Sequence, residues 1–132
     1  MRKRIYVAGP YSASDQLTLG HNIKDGTEAA VDVFAGLRQA PHCPWLDFQY
    51  IHHFHDDDYE NITVNDFYEA GLAWLEVAEA LLVIGKFWYS SGTLAEIKFA
   101  TEHHIPVFYG ILPLIKWLDE QPDTTDNNNR NG

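Results

Sequence analysis

The apolar run Ala80–Gly85 is followed by the polar turn Ser90–Gly92 and then by a helical pattern that extends to about His103. A run this rich in Leu, Val and Ile predicts a strand that is buried on both faces of a parallel sheet. Such a strand needs helices packed on both of its faces. This one unit therefore restricts the fold to the α/β class.

The rest of the chain repeats the alternation of strands and helices. The further predicted strands are Arg4–Ala8, His42–Leu46 and Pro106–Tyr109, and the further predicted helices are Gly20–Gln39, Asn61–Ala78 and Leu112–Glu120. This order predicts a three-layer, flavodoxin- or Rossmann-like parallel sheet of about four to five strands with helices on both faces. Residues 1–121 are expected to form one domain, and the polar residues 122–132 are expected to be disordered.

Helical spacing also predicts which residues face the core. The first helix should bury one set of residues and the second helix another: Ile23, Thr27, Ala30, Val31, Phe34 and Leu37, and Phe67, Ala70, Trp74 and Ala78.

Composition excludes several function classes. The formal net charge of −10 argues against a nucleic-acid polymer as a partner, because binding to a phosphate backbone needs a basic surface. The sequence indicates neither a signal peptide nor a transmembrane helix, so no membrane partner is expected. The single cysteine, Cys43, cannot form an intrachain disulfide and suits a reducing cytoplasm.

The segment Ser90–Glu96 combines a glycine-containing turn, a helix start and an acid. Backbone N–H groups at a helix N-terminus favour an anion, and Gly92 permits a ligand to approach the chain closely. We expect Glu96 to lie in the first turn, where the helix dipole would keep it ionised as a nucleophile or base. The alternative is an ordinary helix start, with Ser90 or Ser91 as the cap and Glu96 as a surface acid.

A second turn of this kind follows the first strand, at Gly9 and Pro10. Together the segments IYVAGPYS at residues 5–12 and SSGTLAE at residues 90–96 resemble the nucleoside 2-deoxyribosyltransferase family and its nucleoside 5′-monophosphate N-hydrolase relatives. The resemblance continues through Asn22, residues 41–44 and residues 105–107, and so covers most of the chain.

The resemblance implies a function for these segments. Glu96 would attack the anomeric carbon, Tyr6 or Tyr11 would hold the glutamate or the sugar, and the sugar of the resulting glycosyl-enzyme ester would pass to water or to another base. The two turns would bind sugar and phosphate through six residues: Gly9, Pro10, Ser12, Ser90, Ser91 and Gly92. No cofactor and no metal would be needed, and the protein would form homodimers or larger homo-oligomers that involve Trp117 and the last helix.

Ser90 suggests the substrate. In the resembled family, transferases of free nucleosides have an aspartate six residues before the glutamate, whereas the monophosphate hydrolases have a serine. A hydroxyl can donate to a phosphate oxygen, while a carboxylate would repel it. The sequence therefore favours a nucleoside 5′-monophosphate, with a free nucleoside as the alternative.

One position departs from the resembled pattern. The family has an aspartate on the helix before the third strand, and Gly71 stands there in this chain. Asp66 and Glu69 lie nearby but out of phase, so either one of them substitutes through a shifted helix, or catalysis is weakened, or this protein uses another partner residue. A nucleotide-binding or regulatory module without catalysis is the rival hypothesis.

Two further segments have two interpretations each. The cluster His52–Glu60 is expected to be a solvated loop over the mouth of the site, with a metal-dependent hydrolase as the alternative. His52 or His53 could line the pocket. Trp88 and Tyr89 either stack on a base or pack structurally against the sheet edge.

Overall fold

The computed structural model describes residues 1–122. Its sheet has four parallel strands, β1 (Arg4–Ala8), β2 (Ala40–His42), β3 (Ala80–Val83) and β4 (Val107–Tyr109), in the order β2-β1-β3-β4. The predicted α/β fold is therefore confirmed. The predicted disorder of residues 122–132 concerns residues that, from position 123 onward, lie outside the described part of the chain.

The sheet is buried on both faces because its central strands are apolar except at Arg4, the exposed first residue of β1. Along β1, Ile5 and Val7 enter one core cluster, whereas Tyr6 and Ala8 enter the other. This alternation follows from the two-residue period of a strand. Burial of all four residues of β3 confirms that this strand is central.

Residues 1–122 contain six α-helices: α1 (Gln16–Val31), α2 (Pro44–Asp47), α3 (Asp56–Asn61), α4 (Val64–Glu76), α5 (Ser91–Glu102) and α6 (Ile111–Glu120). A π-helical turn, Asp32–Gly36, extends α1, and two 3₁₀ segments occupy Phe48–His53 and Phe87–Tyr89. The first core cluster receives residues from α1 and α6, and the second receives residues from α4 and α5. In the described part of the chain, no helix has both the length and the apolarity needed to cross a bilayer.

Several predicted boundaries were wrong for local reasons. The first helix begins at Gln16 and not at Gly20, because the Asp15 side chain caps it by accepting from the Thr18 N–H at 2.7 Å. The second strand ends at His42, because Pro44 occupies the first turn of α2 and starts a helix there.

The predicted core faces of two helices also need correction. Val31 and Phe34 are exposed, and the π-helical turn buries Val33 in their place. On α4, Trp74 is 58% exposed and Ala70 is exposed, whereas Gly71 and Leu75 are buried. Trp74 instead stacks on the ring of His42, with centroids 5.5 Å apart.

The strand order sets the position of the functional site. The chain leaves β1 toward β2 on one side and later returns to form β3 on the other side of β1. The carboxyl ends of β1 and β3 therefore form a topological switch point, the usual place for a ligand in an open α/β sheet.

Candidate functional site

A cavity of about 1150 Å³ lies at this switch point. It is lined by both of the turns singled out from the sequence, together with residues of α1, α2, α4 and α5. The structure thus brings together nine of the predicted site residues: Tyr6, Gly9, Pro10, Tyr11, Ser12, Ser90, Ser91, Gly92 and Glu96.

The turn after β1 is fixed by contacts on each side. A Cβ added to Gly9 would lie 2.7 Å from Ile84 Cγ1 and 3.0 Å from the Ile84 carbonyl oxygen, so only glycine fits against the chain leaving β3. The buried Trp45 donates its indole N–H to the Pro10 carbonyl at 3.1 Å. The Asn22 amide donates to the Tyr11 carbonyl at 3.1 Å. The cavity wall is therefore held in place without a ligand.

Ser90 is the N-cap of α5. Its Oγ accepts from the Thr93 N–H at 3.2 Å and from the Thr93 hydroxyl at 2.8 Å. Both contacts use the oxygen of Ser90 as an acceptor, so its own proton remains available to a ligand in the cavity. The capping role considered from the sequence is therefore observed, and it is compatible with a contact to phosphate.

Glu96 lies one turn deeper in α5 than expected. The helix begins at Ser91 and has no acid in its first turn, so Glu96 belongs to the second turn, where the helix dipole is weaker. Burial raises the pKa of Glu96 to about 7, and the hydrogen bond with Tyr6 opposes that rise. The expectation that the helix end keeps Glu96 ionised is corrected: desolvation dominates, and the carboxyl titrates near neutrality.

The Tyr6 side chain is 1% exposed and faces Glu96. Burial raises the pKa of Tyr6 well above its ordinary value, and the charge of Glu96 and the hydrogen bond to it raise it further. The phenol therefore keeps its proton at neutral pH and donates it to the carboxylate. A protonated donor beside Glu96 favours the ionised form that a nucleophile needs.

Aromatic side chains form one wall of the cavity. Tyr11 stacks on Phe48 with centroids 4.0 Å apart and planes 10° from parallel, and Phe48 stacks on Phe67 at 4.7 Å. We call these three residues the aromatic wall. Burial raises the pKa of Tyr11, so its hydroxyl is also protonated at neutral pH. Stacked rings that line a cavity suit a flat heterocycle such as a nucleobase.

The two acids proposed to replace the missing aspartate do not reach the cavity. Asp66 accepts from the Thr63 N–H at 2.6 Å and thereby caps α4, and Glu69 accepts from the Asn65 amide at 3.0 Å. Both side chains are exposed. They lie out of phase with Gly71, which is buried against Tyr6, so helical geometry turns them away from Glu96.

Trp88 also lies outside the cavity lining. Its ring packs edge-on against Phe87 at 5.2 Å and is 54% exposed. Its neighbour Tyr89 lines the mouth instead. The structural interpretation of Trp88 is therefore the better one.

Sequence reasoning missed Asp47 and part of the aromatic wall. Asp47, Phe48, Phe67 and Tyr68 all line the cavity. The available signal was Pro44, which starts a short helix directly after β2 and so places Asp47 at the carboxyl edge of the sheet. Nothing in the sequence shows that the following 3₁₀ segment would turn Phe48 onto Tyr11.

The charges around the cavity are mostly negative. Among the described lining residues, Asp15, Asp25, Asp47 and Glu96 are acidic, and Lys86 is the basic residue. Asp15 is already engaged as the cap of α1. Lys86 directly precedes the 3₁₀ segment that leads to Ser90, and both Lys86 and the first residues of α5 line the cavity.

The His52–Glu60 segment is more helical than the predicted solvated loop, because it contains the end of a 3₁₀ segment and most of α3. Asp58 accepts from the His55 N–H at 2.8 Å and so closes the start of α3. His52 and His53 are exposed and do not line the cavity. Within residues 1–122, no group of three or more His, Cys, Asp or Glu side chains is placed to hold a metal ion.

Comparison with known proteins identifies the family to which this chain belongs. No curated protein matches the sequence significantly. A family profile matches residues 3–110, a span that contains all four strands, both turns and every residue of the cavity lining. Because this match covers most of the chain, the protein belongs to the family described as a domain of unknown function (DUF7768).

Proposed function

We propose that the protein is an N-glycosidase that cleaves, or transfers, the base–sugar bond of a nucleoside 5′-monophosphate. The observation that carries this proposal is the pair formed by Glu96 and Tyr6: a buried carboxyl with a pKa of about 7 faces a protonated phenol at the inner end of a large cavity. Perturbed carboxyls in clefts are typical of catalytic sites.

The reaction follows from these two groups. The ionised Glu96 attacks C1′ through an oxocarbenium-like transition state, the C1′–N bond breaks, and its electron pair leaves with the base. Tyr6 donates to the carboxylate and holds it in the attacking orientation. Water then adds at C1′ and the ester C1′–O bond breaks, which regenerates the Glu96 carboxylate and releases a sugar 5-phosphate; the proton lost by the water balances the proton taken up by the departing base. A second base in place of water gives transfer.

The start of α5 suits the phosphate. The first N–H groups of α5 have no partner within the helix, and Ser90 retains a donor proton. Lys86 adds a positive charge to the cavity lining. The aromatic wall of Tyr11, Phe48 and Phe67 offers a surface on which the base can stack. The cavity volume exceeds the few hundred Å³ that a nucleotide-sized ligand needs.

A free nucleoside is the second candidate substrate. It is favoured by the excess of acids in the lining, since four carboxyl groups face one lysine among the described residues. The negative charge of these carboxyl groups repels a dianionic phosphate, so local donors must offset that repulsion, whereas an uncharged free nucleoside is not repelled.

The test is base release from a panel of nucleosides and their 5′-monophosphates, followed by chromatography. We expect release from one or more monophosphates by the wild-type protein. Glu96→Gln should lose at least about a thousandfold in kcat, because the amide cannot form the ester. Glu76→Gln, an exposed position on α4 outside the cavity, is the matched control and should be as active as wild type.

The outcomes separate the hypotheses. Activity that survives Glu96→Gln would overturn the mechanism. Faster release from free nucleosides would replace the substrate by the second candidate. Activity that a chelator abolishes would favour a metal-dependent hydrolase. Binding of nucleotides with no base release from any of them would favour the non-catalytic binding module.

A further inference from the structure

A second carboxylate lies in the cavity, and it comes from an unexpected element. Asp47 is the last residue of α2, directly after β2, and its side chain is only 19% exposed. Its carboxyl is part of the same cavity lining as Glu96. Taking a carboxyl group out of water costs free energy unless partners compensate, so a largely buried acid in a cleft needs an explanation.

His42 lies beside Asp47. The Nε2 atom of His42 is 3.5 Å from Asp47 Oδ2, and this buried nitrogen makes no hydrogen bond with the described residues. The imidazole ring is fixed between Tyr6, at a centroid distance of 5.1 Å, and Trp74, at 5.5 Å.

The two carboxyls act on the same phenol. Burial is the main cause of the raised pKa of Tyr6, and the charges of Glu96 and, to a smaller extent, of Asp47 add to it. All three side chains belong to the same cavity lining. Tyr6 and His42 are neighbours across the β1–β2 register, which places the Asp47–His42 pair on the β2 side of Tyr6. Glu96 reaches the same ring from α5, the helix that follows β3.

No acid can occupy position 71 without moving Tyr6. A Cβ added to Gly71 would stand 2.8 Å from Tyr6 Oη. The space for a carboxylate from α4 is therefore filled by the phenol, and the second acid of the cavity comes from α2 instead.

We propose that Asp47 is a sugar-positioning residue: its carboxylate accepts a hydrogen bond from a sugar hydroxyl and so orients C1′ toward Glu96. This inference rests on the proposed N-glycosidase function. It is supported by the acceptor capacity of the carboxylate: its nearest polar neighbour among the described residues, His42 Nε2, lies 3.5 Å away and makes no hydrogen bond. Sugar hydroxyls are the donors that such an acceptor can bind.

The experiment is a double-mutant-type cycle in which the protein residue and the substrate hydroxyl are removed separately and together. The kcat/KM of wild type and Asp47→Ala is compared for a ribonucleotide, its 2′-deoxy form and its 2′,3′-dideoxy form. The hydrogen bond to a charged acceptor should be worth roughly ten- to a hundredfold on substrates that carry the hydroxyl. On the dideoxy substrate, Asp47→Ala should change kcat/KM by less than about threefold. A loss that vanishes already with the 2′-deoxy form assigns the contact to the 2′-hydroxyl, and one that persists there assigns it to the 3′-hydroxyl.

Equal losses on all three substrates would overturn the proposal, because a merely structural Asp47 affects every substrate alike, and so would no loss on any of them. Asp47→Asn keeps the shape and a neutral acceptor, so it should recover part of the activity. Asp119→Asn on α6 is the matched control and should match wild type on all three substrates.

A measurement of ligand affinity makes the test independent of turnover. The affinities of Glu96→Gln and of the Glu96→Gln/Asp47→Ala double variant are measured for the same three ligands by calorimetry. The double variant should bind the hydroxylated ligands roughly tenfold more weakly and the dideoxy ligand equally well. If wild type releases no base, the proposed function fails, and this binding cycle still decides whether Asp47 contacts the sugar. Uniform weakening across the three ligands would refute that contact.

Discussion

At the scale of single residues, the proposed chemistry depends on the ionisation of one buried carboxyl. Glu96 has a pKa of about 7, so the nucleophilic form is lost as the pH falls through neutrality. We expect kcat/KM to decline about tenfold per pH unit below that pKa. Replacing Tyr6 with Phe removes the donor that stabilises the carboxylate, and the acid limb should move upward by roughly half a unit to one unit.

The measurement is a full pH–rate profile of kcat/KM for wild type and Tyr6→Phe. A variant that is slower at every pH with an unmoved acid limb would contradict the assigned contact between Tyr6 and Glu96. A profile that stays flat from about pH 5 to about pH 8 in wild type would show that Glu96 is not the titrating group.

The same carboxyl links stability to pH. The folded state holds its proton up to a pKa of about 7, whereas the ordinary value is 4.5, so between these values the folded state binds more protons than the unfolded state. Stability should therefore fall as the pH rises from about 4.5 to about 7 and then level off. Glu96→Gln has no carboxyl at this position and so lacks this pH dependence. The free energy of unfolding of Glu96→Gln minus that of wild type should therefore increase by about 1–3 kcal/mol from about pH 5 to about pH 8.

Urea unfolding of both proteins at the two pH values measures the difference directly. Glu76→Gln, which replaces an exposed acid, supplies the baseline for loss of a charge as such. A constant gap between wild type and Glu96→Gln would show that the carboxyl is not desolvated in the folded protein.

At the scale of elements, the start of α5 combines two roles that can be separated. Ser90 caps the helix, and its removal in Ser90→Ala should cost about 1 kcal/mol of stability. Ser90→Asp retains a capping oxygen and should be nearly as stable as wild type. Both variants lose the hydroxyl proton, so both should lose roughly ten- to a hundredfold in kcat/KM on the monophosphate.

Substrate preference discriminates the two roles. Ser90→Asp should favour the free nucleoside over the monophosphate, because the carboxylate repels phosphate and accepts from a 5′-hydroxyl. Ser90→Ala should change the free nucleoside reaction little. If either variant loses both activities in equal proportion, Ser90 is only a cap and the phosphate does not bind at this helix.

At the scale of the whole molecule, the sequence predicted the sheet but not every wall of the cavity. The apolar runs of β1 and β3 determine that both faces of the sheet are buried. The parallel order of the strands then brings Gly9 and Ser90 to the same carboxyl edge of the sheet, independently of the loop conformations. The aromatic wall depends on how the 3₁₀ segment Phe48–His53 turns, and Asp47 depends on the end of a four-residue helix. Short elements of this kind are fixed by tertiary packing and not by local periodicity, so their contribution to the site could not be predicted.

The last helix extends the core beyond the family match, which ends at residue 110. Leu114 of α6 is fully buried in the cluster that contains Ile5 and Leu82, whereas Leu112, two residues earlier, is 76% exposed. Leu114→Ala should therefore lower the free energy of unfolding by about 2–5 kcal/mol, through lost burial and a residual cavity. Leu112→Ala, the same chemical change on the same helix, should stay within about 0.5 kcal/mol of wild type.

Urea unfolding compares the two variants. Neither residue lines the cavity, so the kcat/KM of the proposed reaction per folded molecule should not change. A stable Leu114→Ala variant would show that α6 is an appendage to the fold and that residues 3–110 supply its stability alone.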